Sequence, residues 1–194
     1  MFFLRAIFAA FLLVVVPAPI AHAQGTGETE ASLSPAERLE ALYARLRAER
    51  NEAAARRVAE QIRDAWASQG GETAELLIDW AQSAAREDKF HVALDLIDQV
   101  TLLYPGYANG FNARATIHLM RGEMGQAMAD FYRVLSMEPR HFEAMAGVAG
   151  ILRSQGLEEQ ALGIYRRMLE VYPMQRNAQR ALIDITDDQT DERL

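Results

Sequence analysis

Pro105, Pro139 and Pro173 stand 34 residues apart, and four further columns keep the same interval. Ala93, Ala127 and Ala161 form one; Ala81, Ala115 and Ala149 another. Ile97, Phe131 and Tyr165 form a column of large residues. Asp88, Gly122 and Gly156 mark a shared break. Such a period means that one supersecondary unit is stacked on copies of itself. Its content is legible in the third copy. Met145, Val148, Ala149 and Leu152 are spaced i, i+3, i+4, i+7 on one helical face. Ser154-Gln155-Gly156 breaks that stretch, and Ala161, Leu162, Tyr165, Met168 and Leu169 make the stripe of a second helix. Pro173 ends it, because proline lacks the N–H and clashes with the preceding turn.

These columns resemble the tetratricopeptide repeat (TPR) family. With the proline at position 32, the copies are 74–107, 108–141 and 142–175. Leu77, Phe111 and Met145 stand at position 4, where the family has a large residue. Alanine fills positions 8 and 20 in all three. Position 24 is aromatic in the family; Phe131 and Tyr165 match and Ile97 departs. Position 11 carries Ala84, His118 and Leu152. The resemblance implies an all-α helical-hairpin solenoid, wound as a right-handed superhelix. The smaller residues predict looser packing in the first repeat, for which Trp80 at position 7 compensates in part.

Residues 34–73 read as a divergent N-terminal hairpin that does not keep the register. Ser34, Pro35 and Glu37 are an N-cap, a first-turn proline and a first-turn acid. Leu39, Leu42, Tyr43 and Leu46 form one stripe; Asn51 breaks it, and Val58, Ala59, Ile62 and Trp66 resume it. Residues 176–186 predict a capping helix, since an array must cover its last apolar face. The acidic tail 187–194 is expected to fray.

The first 23 residues read as a secretory signal peptide: Arg5, an apolar run from Ala6 to Val16, Pro17 and Pro19, then Ala21-His22-Ala23. Cleavage is expected between Ala23 and Gln24, leaving 24–33 as a polar spacer. An uncleaved membrane anchor is the rival, although a span needs about 20 apolar residues. Either way the domain lies outside the cytoplasm, in the periplasm or secreted, with no membrane contact after cleavage. There is no cysteine, hence no disulfide and no lipidated Cys. The net charge of -7 argues against nucleic acid as a partner.

No catalytic constellation, metal set or cofactor motif is found. No histidine pair has ligand spacing on a helix, and His118 reads as a packed core residue. Gly147 and Gly150 read as close packing or room in the groove. The expected function is therefore a non-catalytic adaptor binding a protein or extended peptide in the bacterial cell envelope. Alternatives are structural self-association, through the first hairpin or the groove, and, less favoured, an envelope enzyme subunit. The resemblance implies a concave surface from positions 2, 5, 9 and 12 of each first helix. The groove candidates are Ile78, Gln82, Asn109, Asn112, Thr116, Leu119, Ala146, Gly150 and Arg153. The chaperone-tail clamp of the family maps to Ile78, Gln82, Ala113, Glu143 and Gly147; none is basic, so no such clamp is expected. Arg114 at position 7 and Asp130 at position 23 occur together in the second repeat alone, which suggests a structural ion pair across the two helices.

Overall fold

In a computed structural model of the chain, residues 33–191 are described. The segment 1–23, read above as a signal peptide, and all but the last residue of the expected spacer lie outside them. Nine α-helices follow in order among the described residues: α1 (Pro35–Ala48), α2 (Glu52–Ala67), α3 (Gly71–Arg86), α4 (Phe90–Leu103), α5 (Ala108–Met120), α6 (Met124–Met137), α7 (Phe142–Ser154), α8 (Glu158–Val171) and α9 (Arg176–Asp191). A 3-10 turn, Ser68–Gly70, joins α2 to α3.

The period is visible in the backbone. Lys89 N–H donates to Ala84 C=O, Glu123 N–H to His118 C=O and Leu157 N–H to Leu152 C=O, each at 2.9 Å. This six-residue closure needs a left-handed residue, and Asp88, Gly122 and Gly156 take it with φ of 58°, 75° and 72°. Asp88 is the only non-glycine with positive φ among the described residues. Asp88→Gly removes the Cβ strain and should stabilise the chain by about 0.5–1 kcal/mol. Thermal unfolding, with Asp88→Ala falling below wild type, checks this.

Ala81, Ala115, Ala149, Ala93, Ala127 and Ala161 are fully buried, so each helix pair meets at small residues. Ile97, Phe131 and Tyr165 fill the space beside them. The first repeat holds a core of its own, from Ala74, Ile78, Ala81, Ala84, Ala85, Ala93, Ile97 and Val100, closed by Tyr107, Ala113 and Ile117. Five of its eight residues on α3 and α4 are alanines. Trp80 does not compensate: it is 53% exposed, while Val148 at the same position of the third repeat is fully buried. The reason is that no repeat precedes α3.

The capping helix runs beyond 186 to Asp191, so the start of the acidic tail is helical rather than frayed. No glycine or proline follows Pro173 to stop it, and Thr186 Oγ1 donates to Leu182 C=O at 2.6 Å. Ala178, Ala181 and Ile185 are its buried face.

The N-terminal hairpin forms as its caps dictate. Ser34 Oγ accepts from Glu37 N–H, and Glu37 Oε2 accepts from Ser34 N–H at 2.8 Å. Asn51 Oδ1 accepts from Ala54 N–H at 3.0 Å, starting α2. Its destination is unlike that of a fourth repeat. The hairpin does not stack ahead of α3; α1 packs against α8 and α2 against α5.

Candidate functional site: the first-helix face and the hairpin across it

α2 lies along three successive junctions between repeats. At its start, Glu52 accepts from Arg176 Nε at 2.6 Å. Farther on, Arg63 Nε donates to Glu143 Oε1 at 2.6 Å. The indole of Trp66 stacks on the His141 ring at 3.8 Å, 11° from parallel. At its end, the Ala67 carbonyl accepts from the Tyr107 hydroxyl at 2.7 Å. Tyr107 and His141 are the last residues of repeats one and two, and Arg176 is the first after repeat three. A single helix thus meets the same point of the array three times.

The contact is apolar at its centre. Trp66 also meets Phe142 at 4.7 Å, and Phe142 meets the edge of Tyr172 at 5.6 Å. Trp66 Nε1 donates to the Tyr43 hydroxyl at 3.1 Å, tying α2 to α1. Arg140 lies over the Tyr43 ring at 3.9 Å and grips Glu40 with two hydrogen bonds, at 2.9 and 2.6 Å. His141 is fully buried. Its Nδ1 accepts from Ala144 N–H and caps α7, while its Nε2 has no partner among the described residues. Burial lowers its pKa from 6.5 to about 3, so the ring is neutral. Because this apolar face is occupied, it is not a free surface for pairing copies.

This placement sorts the groove candidates. Asn112 is buried, with Nδ2 donating to Glu143 Oε2 at 3.4 Å, and so belongs to the Arg63–Glu143 link rather than to an open surface. Ile78 is buried in the first-repeat core. Asn109 and Leu119 are half-buried. Gln82, Thr116, Ala146, Gly150 and Arg153 are exposed. Position 9, comprising Gln82, Thr116 and Gly150, is therefore the column open in all three repeats. Position 5 is closed in the first two. The hairpin covers the first turns of α5 and α7, and the later turns remain accessible. His118 is not a packed core residue; it is half-buried and meets Glu123 Oε2 at 2.7 Å across the α5–α6 turn.

The two glycines of α7 separate into two roles. A Cβ on Gly147 would lie 2.3 Å from the Phe131 ring, so this glycine is where α7 presses on α6. A Cβ on Gly150 would meet nothing within 4 Å. Gly147→Ala should destabilise by about 1–3 kcal/mol through overpacking. Gly150→Ala should stabilise by about 0.5–1 kcal/mol through helix propensity alone. Urea unfolding of both variants measures the contrast.

The ion pair of the second repeat is bidentate. Arg114 Nε and Nη2 donate to Asp130 Oδ2 and Oδ1, each at 2.7 Å. Arg114 Nη1 reaches back to Asp98 Oδ1 at 2.8 Å and Thr101 Oγ1 at 3.0 Å, both on α4. The two carboxylates raise the guanidinium pKa further. Among the described residues, no grouping of His, Asp and Glu is fit to hold a metal ion.

No profile of a known protein family matches the sequence. A TPR repeat-containing protein of Rhizobium etli is 38% identical over 173 residues, covering 88% of this chain and 85% of the relative. Solved structures share the fold. The first TPR domain of Spaghetti (RPAP3), bound to the HSP90 peptide SRMEEVD, matches with a TM-score of 0.56 at 18% identity, covering 61% of this chain and 96% of that one. The TPR domain of Arabidopsis OM64 matches with a TM-score of 0.56 at 17% identity, over 61% and 98% of the two chains. An O-GlcNAc transferase of Thermobaculum terrenum matches with a TM-score of 0.53 at 18% identity, over 61% of this chain and only 23% of that enzyme. With its 34-residue columns, its stacked helical hairpins and this relative, the chain belongs to the tetratricopeptide repeat family.

Proposed function

We propose that the protein is an exported, non-catalytic adaptor that holds an extended segment of another protein in the bacterial cell envelope. The observation that carries this reading is the open column of Gln82, Thr116 and Gly150, continued by Ala146 and Arg153. It presents one side-chain amide, a hydroxyl, a bare backbone and one cation along three consecutive first helices. Such a strip suits a peptide backbone with its alternating donors and acceptors. The peptide-bound Spaghetti domain supports the reading by analogy of fold. Export rests on the leader pattern of residues 1–23.

The test is a photoreactive phenylalanine analogue at Thr116, with the same analogue at Glu170 on α8 as control. Irradiation of intact cells should give a discrete protein adduct from Thr116 and none from Glu170. Gly150→Trp, which fills the strip without touching the core, should abolish the adduct. Absence of any Thr116-specific adduct overturns the reading. N-terminal sequencing of the mature chain should begin at Gln24; an intact Met1 on cytoplasmic protein overturns export.

A further inference from the structure

In this array each first helix rests on the second helix of the repeat before it, and the contacts name the positions. A Cβ on Gly110, position 3, would lie 2.9 Å from Val100 of α4. Gly147, position 6, abuts Phe131 of α6. Arg114, position 7, bonds to Asp98 and Thr101 of α4. Ala144 and Val148, positions 3 and 7 of the third repeat, are fully buried. In the first repeat these positions are Leu76, Asp79 and Trp80. Leu76 is 46% exposed and Trp80 53%. The segment that would cover them, the α1–α2 hairpin, is committed to the other side of the array. The stacking face of α3 is thus apolar at its centre and uncovered by any described residue.

We propose that this face binds the same face of a second copy of the chain, α3 against α3 in an antiparallel two-fold arrangement. Leu76 and Trp80 are one helical turn apart on one stripe. An antiparallel dyad therefore sets Leu76 of each copy against Trp80 of the other. Thr73 and Ser83 flank that centre with short side chains, which lets the helices approach. Glu72 lies near the start of α3 and Arg86 at its end, on one flank of the stripe, so the same dyad brings each Arg86 towards the other copy's Glu72. Head-to-tail stacking is disfavoured, because the outer face of α9 is polar, with Gln179, Arg180, Asp184 and Asp187 around Ile183. The contact consequently closes as a dimer instead of propagating. One helix face is a small interface, so the dimer is reversible, with a micromolar dissociation constant. Asp79 sits beside the dyad and faces its own counterpart, which weakens the pair.

Sedimentation velocity on the purified protein, from low micromolar to several hundred micromolar, tests this. The expected result is a concentration-dependent monomer–dimer equilibrium. Trp80→Glu should raise the dissociation constant at least about tenfold, with the far-ultraviolet dichroism of the folded protein retained. Asp79→Asn should lower it about two- to fivefold by removing the like-charge contact. Ile183→Glu, at the other end of the array, should leave it unchanged. Gly150→Trp should also leave it unchanged, which keeps this result separate from the groove reading. A monomer throughout the range overturns the proposal. So does a dimer indifferent to Trp80→Glu, or one that Asp79→Asn fails to tighten. A foreign helix captured on this face by a chain that remains monomeric also overturns it.

Discussion

Trp66→Ala should destabilise the protein by about 3–5 kcal/mol and free the N-terminal hairpin from the array. The indole is 3% exposed and is sandwiched into contacts that span the chain. It stacks on His141, tilts against Phe142 and hydrogen-bonds Tyr43. Its removal leaves a void that rigid helices on both sides cannot close, and it strips the cover from a buried imidazole. The ion pairs around it cannot compensate. Arg63–Glu143 and Arg176–Glu52 are substantially exposed, and such pairs contribute about 0–1 kcal/mol each. Urea unfolding should therefore show a large loss for Trp66→Ala and a small one for Glu52→Gln. Limited proteolysis should cut the Trp66→Ala variant first at the α1–α2 turn near Arg50. A variant whose hairpin stays resistant would refute the aromatic anchor.

His141 gives the same junction a pH signature. Its neutral form is favoured in the fold, with a pKa of about 3 against an unfolded value near 6.5. Below about pH 6.5 the unfolded chain binds a proton that the folded chain refuses. Stability should thus be fully present above that pH and decline as pH falls towards about 3. Carboxylates titrate over part of this range, so the comparison that isolates the histidine is His141→Asn. Asparagine keeps an N-cap acceptor for Ala144 N–H while removing the titrating ring. Its thermal midpoint should fall less steeply between pH 6.5 and 4.5 than that of the wild type.

The repeat was legible in the sequence because its determinants are local and recur. Alanine at the crossings, an apolar neighbour beside it, a left-handed residue at the turn and proline after the second helix each act within one unit. Three copies turn weak propensities into a clear signal. The course of the hairpin was not legible. Trp66 and His141 are 75 residues apart, and neither carries a pattern that names the other. Their one sequence-level trace is column 34, where Tyr107, His141 and Gln175 occupy a turn that ordinarily faces water. Two large rings there ask for a cover. Which first-helix residues share a column was legible, but which of them are accessible was not. Asn112 and Gln82 looked equivalent as groove positions, and only the hairpin's path buries the first and leaves the second open. Trp80 likewise was placed by its position 7 in the repeat, although among the described residues no element stacks in front of α3.

Arg114→Leu should be the costliest change in the second repeat, and the double change Arg114→Leu with Asp130→Leu should recover most of the loss. The carboxylate of Asp130 is only 9% exposed and takes both its hydrogen bonds from Arg114. Without the guanidinium it is a buried charge with no partner, at a cost of about 3–5 kcal/mol. Asp130→Ala is milder, about 1–3 kcal/mol, because Arg114 is left with Asp98 and Thr101 and is 23% exposed to water. The asymmetry follows from partner count and burial, not from charge alone. Replacing both members by leucine removes the desolvation cost and supplies apolar contact where the third repeat has Val148 and Ile164. A double-mutant cycle in urea should therefore yield a coupling energy above about 1.5 kcal/mol, larger than exposed pairs show. Asp98→Asn offers the control, since its carboxylate is 60% exposed and should contribute about 0–1 kcal/mol. If Arg114→Leu proved no worse than Asp130→Ala, the pair would be acting as two solvated charges, and its role in registering the second repeat on the first would have to be abandoned.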